Sequence, residues 1–249
     1  MLLHPTLTSN IDEVAQSESV GNHEAMVVSQ GAGFHGFPSA AIDFYRGLTA
    51  DNSKSYWSHN KARYESDVRL PMTMLTDELA DEFGRFKIFR PYRDVRFSKD
   101  KTPYKTHIGA VTEGEGGEFY YLQVSADGLF VGTGYYQMAK DQLARFRNAV
   151  DDVDAGTDLE ARLRTMRHKY ELHGKELATA PRGYPRDHPR VWLLQHKGLT
   201  AGRTFGTPKW LHTRRALSRI VETWRGAAPM NEWLNEHVGP STEAPEDAP

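Results

Sequence analysis

Cysteine is absent from all 249 residues, which excludes disulfides, thiolate catalysis, thiolate zinc sites and iron–sulfur clusters held by Cys. Long hydrophobic runs are absent too. No stretch approaches the ~20 apolar residues of a membrane span, and the opening MLLHPTLTSN lacks the cationic start and apolar stretch of a secretory signal. A strong charge of one sign is also missing: 31 Lys and Arg face 33 Asp and Glu, for a net −2. The chain as a whole therefore does not carry the basic balance usual for nucleic-acid-binding domains. What is present, 39% hydrophobic and 11% aromatic residues, sustains a packed core and argues against global disorder. The expectation is a water-soluble, cytoplasmic protein with no membrane partner, its oligomeric state left open.

Several chemistries lack their motifs. There is no Walker A loop, dinucleotide fingerprint or kinase set, and no G-x-S-x-G elbow surrounds Ser98. The eleven histidines are scattered without H-E-x-x-H or paired helical spacing, so neither a metal nor a cofactor is expected. Gly114, Gly116 and Gly117 alternate with acids, which disfavours a phosphate cradle there.

Charge is distributed unevenly. Residues 1–33 hold four acids and no Lys or Arg, and residues 239–249 hold three acids and no base. The ends thus carry −7 against a whole-chain −2, which leaves +5 on residues 34–238. We read residues 1–33 as a flexible acidic arm, residues 34–238 as a single α+β domain, and the Pro- and acid-rich residues 239–249 as a disordered tail.

Hydrophobic periodicity divides the domain. Helical spacing runs through residues 39–83, with a turn and cap at Asp51-Asn52-Ser53, Pro71 at a helix start or kink, and Gly84 as the stop. Extended segments follow: FKIFRPYRDVRF, KTHIGAVT, EFYYLQVSA and LFVGTGYY, the last two joined by an Asp127-Gly128 hairpin signal. Gly132 and Gly134 suggest a bulge or close backbone approach. Helices return in MAKDQLARFRNAV, after a Thr157-x-x-Glu160 capping box, in PRVWLLQHKG up to Gly198, from Pro208 toward Trp224, and from Met230 to His237. The expected fold is α+β: an antiparallel meander of three to five strands packed with N-terminal and C-terminal helices.

Residues 85–107 concentrate the positive charge, with eight Lys and Arg against Asp94 and Asp100. Within them lies Arg90-x-x-Arg93-Asp94-x-Arg96-Phe97-x-x-Asp100-Lys101-x-x-Tyr104, followed by His107. This run resembles a bacterial family catalogued as a domain of unknown function, with the hallmark R-x-x-R-D-x-R-F-x-x-[DN]-K-x-x-Y. Asn52 with Tyr56-Trp57, Gly134-Tyr135, Pro181-Arg182-Gly183 and Asp187-His188-Pro189 add to the likeness, which covers residues 36–238. The resemblance implies no reaction.

Read for their chemistry, these residues suggest an anion site. Guanidiniums grip carboxylates and phosphates bidentately, and Lys adds a point charge. In an extended chain Arg90, Asp94 and Arg96 share one face, with Arg93 on the other. Asp94 cannot neutralise three arginines. The first reading is a pocket for a small phosphate- or carboxylate-bearing ligand, with Arg90, Arg93, Arg96 and Lys101 binding, Asp94 orienting the arginines and Tyr104 lining the site. If the protein is an enzyme, Tyr104 or His107 moves the proton, the phenol's pKa being lowered by Lys101 and Lys105. Two alternatives stand beside it. One is a non-catalytic module that binds nucleic acid or an acidic protein partner through the same segment and its aromatics. The other is a structural salt-bridge network, neutralised by Glu65, Asp67, Asp77, Glu78, Asp81 and Glu82 on the preceding helices, with the working site elsewhere, around Arg182 and His188.

Overall fold

A computed structural model of the chain describes residues 33–96, 100–112 and 117–242. The expected acidic arm up to residue 32, Ser98, most of the glycine-rich loop and residues 243–249 lie outside the described residues.

Helix α1 (Ser39–Ala50) follows Pro38 and buries Ala41, Ile42, Phe44, Tyr45 and Leu48 on one stripe. Ser53 Oγ accepts the Tyr56 N–H at 3.1 Å and caps α2 (Lys54–Arg63). That helix continues through a π-helical turn (Tyr64–Arg69) into α3 (Leu70–Phe83). The wide turn, in which Leu70 N–H donates to Glu65 O five residues back, sits immediately before Pro71, whose ring and missing N–H disturb a regular ladder. Gly84, at φ +85°, ends α3 by donating to Ala80 O.

The sheet has six antiparallel strands, β1 (Phe86–Ile88), β2 (His107–Thr112), β3 (Glu118–Ser125), β4 (Gly128–Tyr135), β5 (Glu171–Lys175) and β6 (His196–Gly206), in the order β1-β2-β3-β4-β6-β5. The α+β class holds, but the strand count exceeds the expected three to five. The two strands beyond the meander, β5 and β6, follow the helix opened near Thr157, and β6 begins inside the segment PRVWLLQHKG, read as helix. There the helix is a single turn, α6 (Val191–Leu194). Gly198, read as the end of a helix, lies within β6, where it and Gly202 mark close contacts within the sheet. Gly202 pairs with Gly132, and a Cβ on it would lie 2.5 Å from the Phe130 ring. Gly134, expected to mark close approach, has φ +131° and stands where a Cβ would meet Leu199 O at 2.3 Å.

Two helix boundaries also differ from expectation. After α4 (Lys140–Asp151), α5 (Val153–Met166) starts at Asp152, whose carboxylate accepts the Asp154 and Ala155 N–H groups, so Thr157 is interior. The C-terminal segment is one helix, α7 (Arg215–His237), continuing through Pro229, with Met230, Trp233 and Leu234 buried beyond the proline. Residues 239–242 are fastened to α4: Gln142 Nε2 donates to Gly239 O, and Asp141 accepts from Ser241 Oγ and Thr242 N.

Helix α7 spans two cores. Its first half (Ala216, Ile220, Trp224) joins α1, α2 and α3 over Ala110, Leu122 and Val131. Its second half (Ala227, Met230, Trp233) joins α4, α5 and α6 over Leu199 and Ala201. By strand alternation Phe89, Val111, Phe119 and Tyr121 form a third cluster on the opposite face of the sheet. Among the described residues no helix is long and apolar enough to cross a membrane.

Candidate functional site

The chain between β1 and β2 leaves and rejoins the sheet as a closed loop. Arg93 N–H donates to Pro103 O at 2.9 Å and Lys105 N–H to Pro91 O at 2.8 Å, with Tyr92 and Tyr104 bridged between them. Both prolines have no N–H to lose, so each serves the stem as an acceptor. Asn52, from the turn between α1 and α2, clasps the stem: its Nδ2 donates to Tyr104 O and its Oδ1 accepts from Tyr104 N. The Tyr104 ring stacks on Trp57, centroids 4.4 Å apart and planes 9° apart, with Tyr92 against both rings. Tyr104 is 5% exposed, and burial raises its phenol pKa, with Tyr92 adding to the shift. That direction is opposite to the lowering expected from Lys101 and Lys105, because desolvation of the phenolate prevails.

The loop arranges its charges in two groups. On the outside, Arg96 grips Asp94 with Nε at 3.0 Å and Nη2 at 2.5 Å, and its backbone N–H donates to the same carboxylate. These bonds, with Arg90 in electrostatic range, hold the Asp94 carboxyl down at about 2. Arg90, Asp94 and Arg96 thus form the outer group. Arg93 turns the other way and pairs with Asp100, whose second oxygen accepts from Thr102 N and Oγ1. Lys101 reaches the Val95 carbonyl at 2.8 Å, not the Asp100 carboxylate.

At the root of the stem, Arg93 and Lys105 lie within electrostatic range of His107 at the start of β2. Lys105 is 5% exposed and its Nζ lies 5.3 Å from the centroid of the Phe89 ring. Burial lowers the Arg93 pKa. Burial first, then Lys105 and Arg93, push His107 down to about 4, so its imidazole is neutral at pH 7. Phe89 and Val111 place this inner group on the sheet face turned away from α1, α2 and α3. Of the residues singled out from sequence, Arg93 and His107 come together here, Arg90, Asp94 and Arg96 form the outer group, and Lys101 and Tyr104 belong to neither. Lys105 is the inner group's unforeseen member. Its signal was the alternation that puts it on the face of His107.

Three of the six acids offered as counter-charges are engaged elsewhere. Glu78 binds Arg214 and Glu82 binds Arg225, fastening α3 to α7, while Glu65 faces Arg69 within the π-helical turn. The alternative site at His188 is saturated as well. Its Nδ1 accepts the Arg190 N–H at 3.0 Å and its Nε2 lies 3.1 Å from Asp151 Oδ1, which leaves no lone pair for catalysis. Arg190 itself is buried and caps the end of α4 through the Val150, Asp151 and Asp152 carbonyls. Among the described residues no group of three His, Asp or Glu could hold a metal ion.

No curated protein and no solved structure matches the chain. A family model does, over residues 40–233, and so takes in α1, the whole sheet, the charged loop and most of α7. The chain belongs to the conserved hypothetical protein family DUF2461.

Proposed function

We propose that the protein binds a small anionic ligand, bearing a phosphate or a carboxylate, at the root of the charged loop. The observation that carries this reading is the buried Lys105 at the root of the loop, its Nζ 5.3 Å from the Phe89 ring centroid, with Arg93 and Lys105 both in electrostatic range of His107. Arg93 and Lys105 would take the anion, and Asp100 holds Arg93 in place. The charge arithmetic supports it, since pairs formed within residues 85–107 leave that segment's +6 unchanged. If a reaction follows binding, His107 is the group that moves the proton, and an anion seated beside it makes it more basic. Tyr104, clamped by Trp57, serves as scaffold in this reading.

The test is thermal stabilisation by phosphate and sulfate. The full chain should gain about 2 to 3 kcal/mol at saturating anion, as for a ligand at roughly a hundredfold its Kd. Lys105→Gln and Arg93→Gln should abolish the gain, and Arg96→Ala should keep it. Equal stabilisation of the wild type and both Gln variants would refute the reading.

A second reading rests on Tyr92, which is 50% exposed. It stands in the stem, flanked along the chain by exposed Arg90 and Arg96, a platform suited to stacking a base beside phosphates. Oligonucleotide binding that falls by decades between low and moderate salt, and weakens in Tyr92→Ala, would favour it.

A further inference from the structure

A cavity of about 420 Å³ lies away from the charged loop, between the end of α5, strand β6 and the middle of α7. Tyr170, one of its lining residues, donates its hydroxyl to Thr223 O at 2.7 Å and ties the chain leaving α5 to α7. Both residues are buried. Three cations line the cavity, Lys169, Arg203 and Arg219, with Glu222 as the one acid. Glu222 is committed to Arg219 at 2.9 Å. Among the described residues neither Lys169 nor Arg203 has a carboxylate partner.

Arg203 is the informative side chain. Its guanidinium lies 4.6 Å from the centroid of the Phe205 ring, which fixes its plane, and its charge acts on the Tyr170 phenol. Lys169 stands just past the C-terminus of α5, where the helix end already favours a cation. Arg203, half-buried on β6, has the Phe205 ring on one side and, among the described residues, no carboxylate to neutralise it. A half-buried guanidinium without such a partner is placed to take a guest anion.

From this geometry we infer that the cavity is a second anion site, separate from the loop, and that it takes a small phosphate monoester. The lining carries a net +2, which matches a monoester near pH 7, where it holds about −1.5 to −2. Arg203 and Arg219 supply planar donor forks for phosphate oxygens. The volume falls within the range of small-molecule sites and leaves room for a sugar-sized body against Tyr170 and Met166.

Amide chemical-shift mapping of the full chain, with glucose 6-phosphate as probe, tests the assignment. The Lys169, Arg203 and Gly226 resonances should move, saturating below about 10 mM, while glucose leaves them still. Arg203→Met should weaken the effect at least about tenfold, and Arg93→Gln should not change it. Should Arg203→Met fail to fold, Lys169→Met and Arg219→Met supply the same reading. Resonances that stay fixed, or that move equally in all these variants, would overturn the site. Equal binding of succinate would overturn the monoester assignment. Since Arg93 belongs only to the loop, loss of anion binding there leaves this result untouched.

Discussion

Asn52 stands in for a neighbouring strand toward Tyr104, giving 2.9 Å to its carbonyl and receiving its N–H at 3.1 Å. The pair joins the turn between α1 and α2 to the stem of the charged loop, so the helical layer sets where Arg93 and Lys105 sit. Asn52→Ala removes both bonds and strands two backbone groups of a buried residue. The expected loss is about 2 kcal/mol in urea unfolding, with weaker phosphate protection. Asn52→Asp, which keeps the acceptor but not the donor, should fall between Ala and wild type.

Tyr104 separates scaffold from chemistry. Its ring stacks on Trp57, so Tyr104→Ala should cost about 3 to 5 kcal/mol. Tyr104→Phe keeps the ring and should change stability by less than about 1 kcal/mol while leaving anion binding intact. A Phe variant that folds but no longer binds phosphate would return the phenol to the site.

His107 gives the fold a pH dependence of known sign. Its pKa falls from 6.5 to about 4 on folding, so the native state favours the neutral ring. The stability this contributes is full above the unfolded value of about 6.5 and is lost as pH drops through that value toward 4. Urea midpoints measured from pH 7 to pH 4 should therefore fall more steeply for wild type than for His107→Gln.

Close packing over glycine should be visible in Gly202→Ala. The added methyl would lie 2.5 Å from the Phe130 ring and 3.2 Å from His173 Nε2. A loss of about 1 to 3 kcal/mol is expected, recovered in part by Phe130→Leu. An Ala variant as stable as wild type would mean that the ring moves aside freely.

The two clamps between α3 and α7 should differ in strength. Glu82 and Arg225 meet through two 2.8 Å bonds on an exposed surface, so Glu82→Gln should cost less than about 1 kcal/mol. Glu78 binds Arg214 and also accepts the Phe34 N–H, and Arg214 donates to Phe34 O. Glu78→Ala should therefore cost more, about 1 to 2 kcal/mol. Thermal midpoints of the two variants give the comparison.

The sequence revealed those features whose signals are local. Apolar stripes marked α1 and α4, Ser53 marked a cap, Gly84 a stop, and alternation marked β2, β3 and β4. Strand β6 was hidden because Gly198 imitates a helix stop, and only the backbone packed against it shows its purpose. At Pro229 burial on both sides overrode a helix breaker. At the site, the loop's charge density was plain from residue order. The division into an outer group and an inner group was not, because it depends on which acid each arginine meets. The direction of the Tyr104 shift was likewise hidden in Trp57, a residue brought there by the fold.

The strand order carries a consequence for synthesis. Strand β4 ends at Tyr135, yet its outer neighbour β6 begins only at His196, and α7, which covers β3 and β4, comes later still. On the ribosome the meander emerges with an open flank and an uncovered apolar surface until the last quarter of the polypeptide arrives. Truncated nascent products ending before Leu199 should therefore bind chaperones or aggregate, whereas the complete polypeptide seals both openings in a single late event.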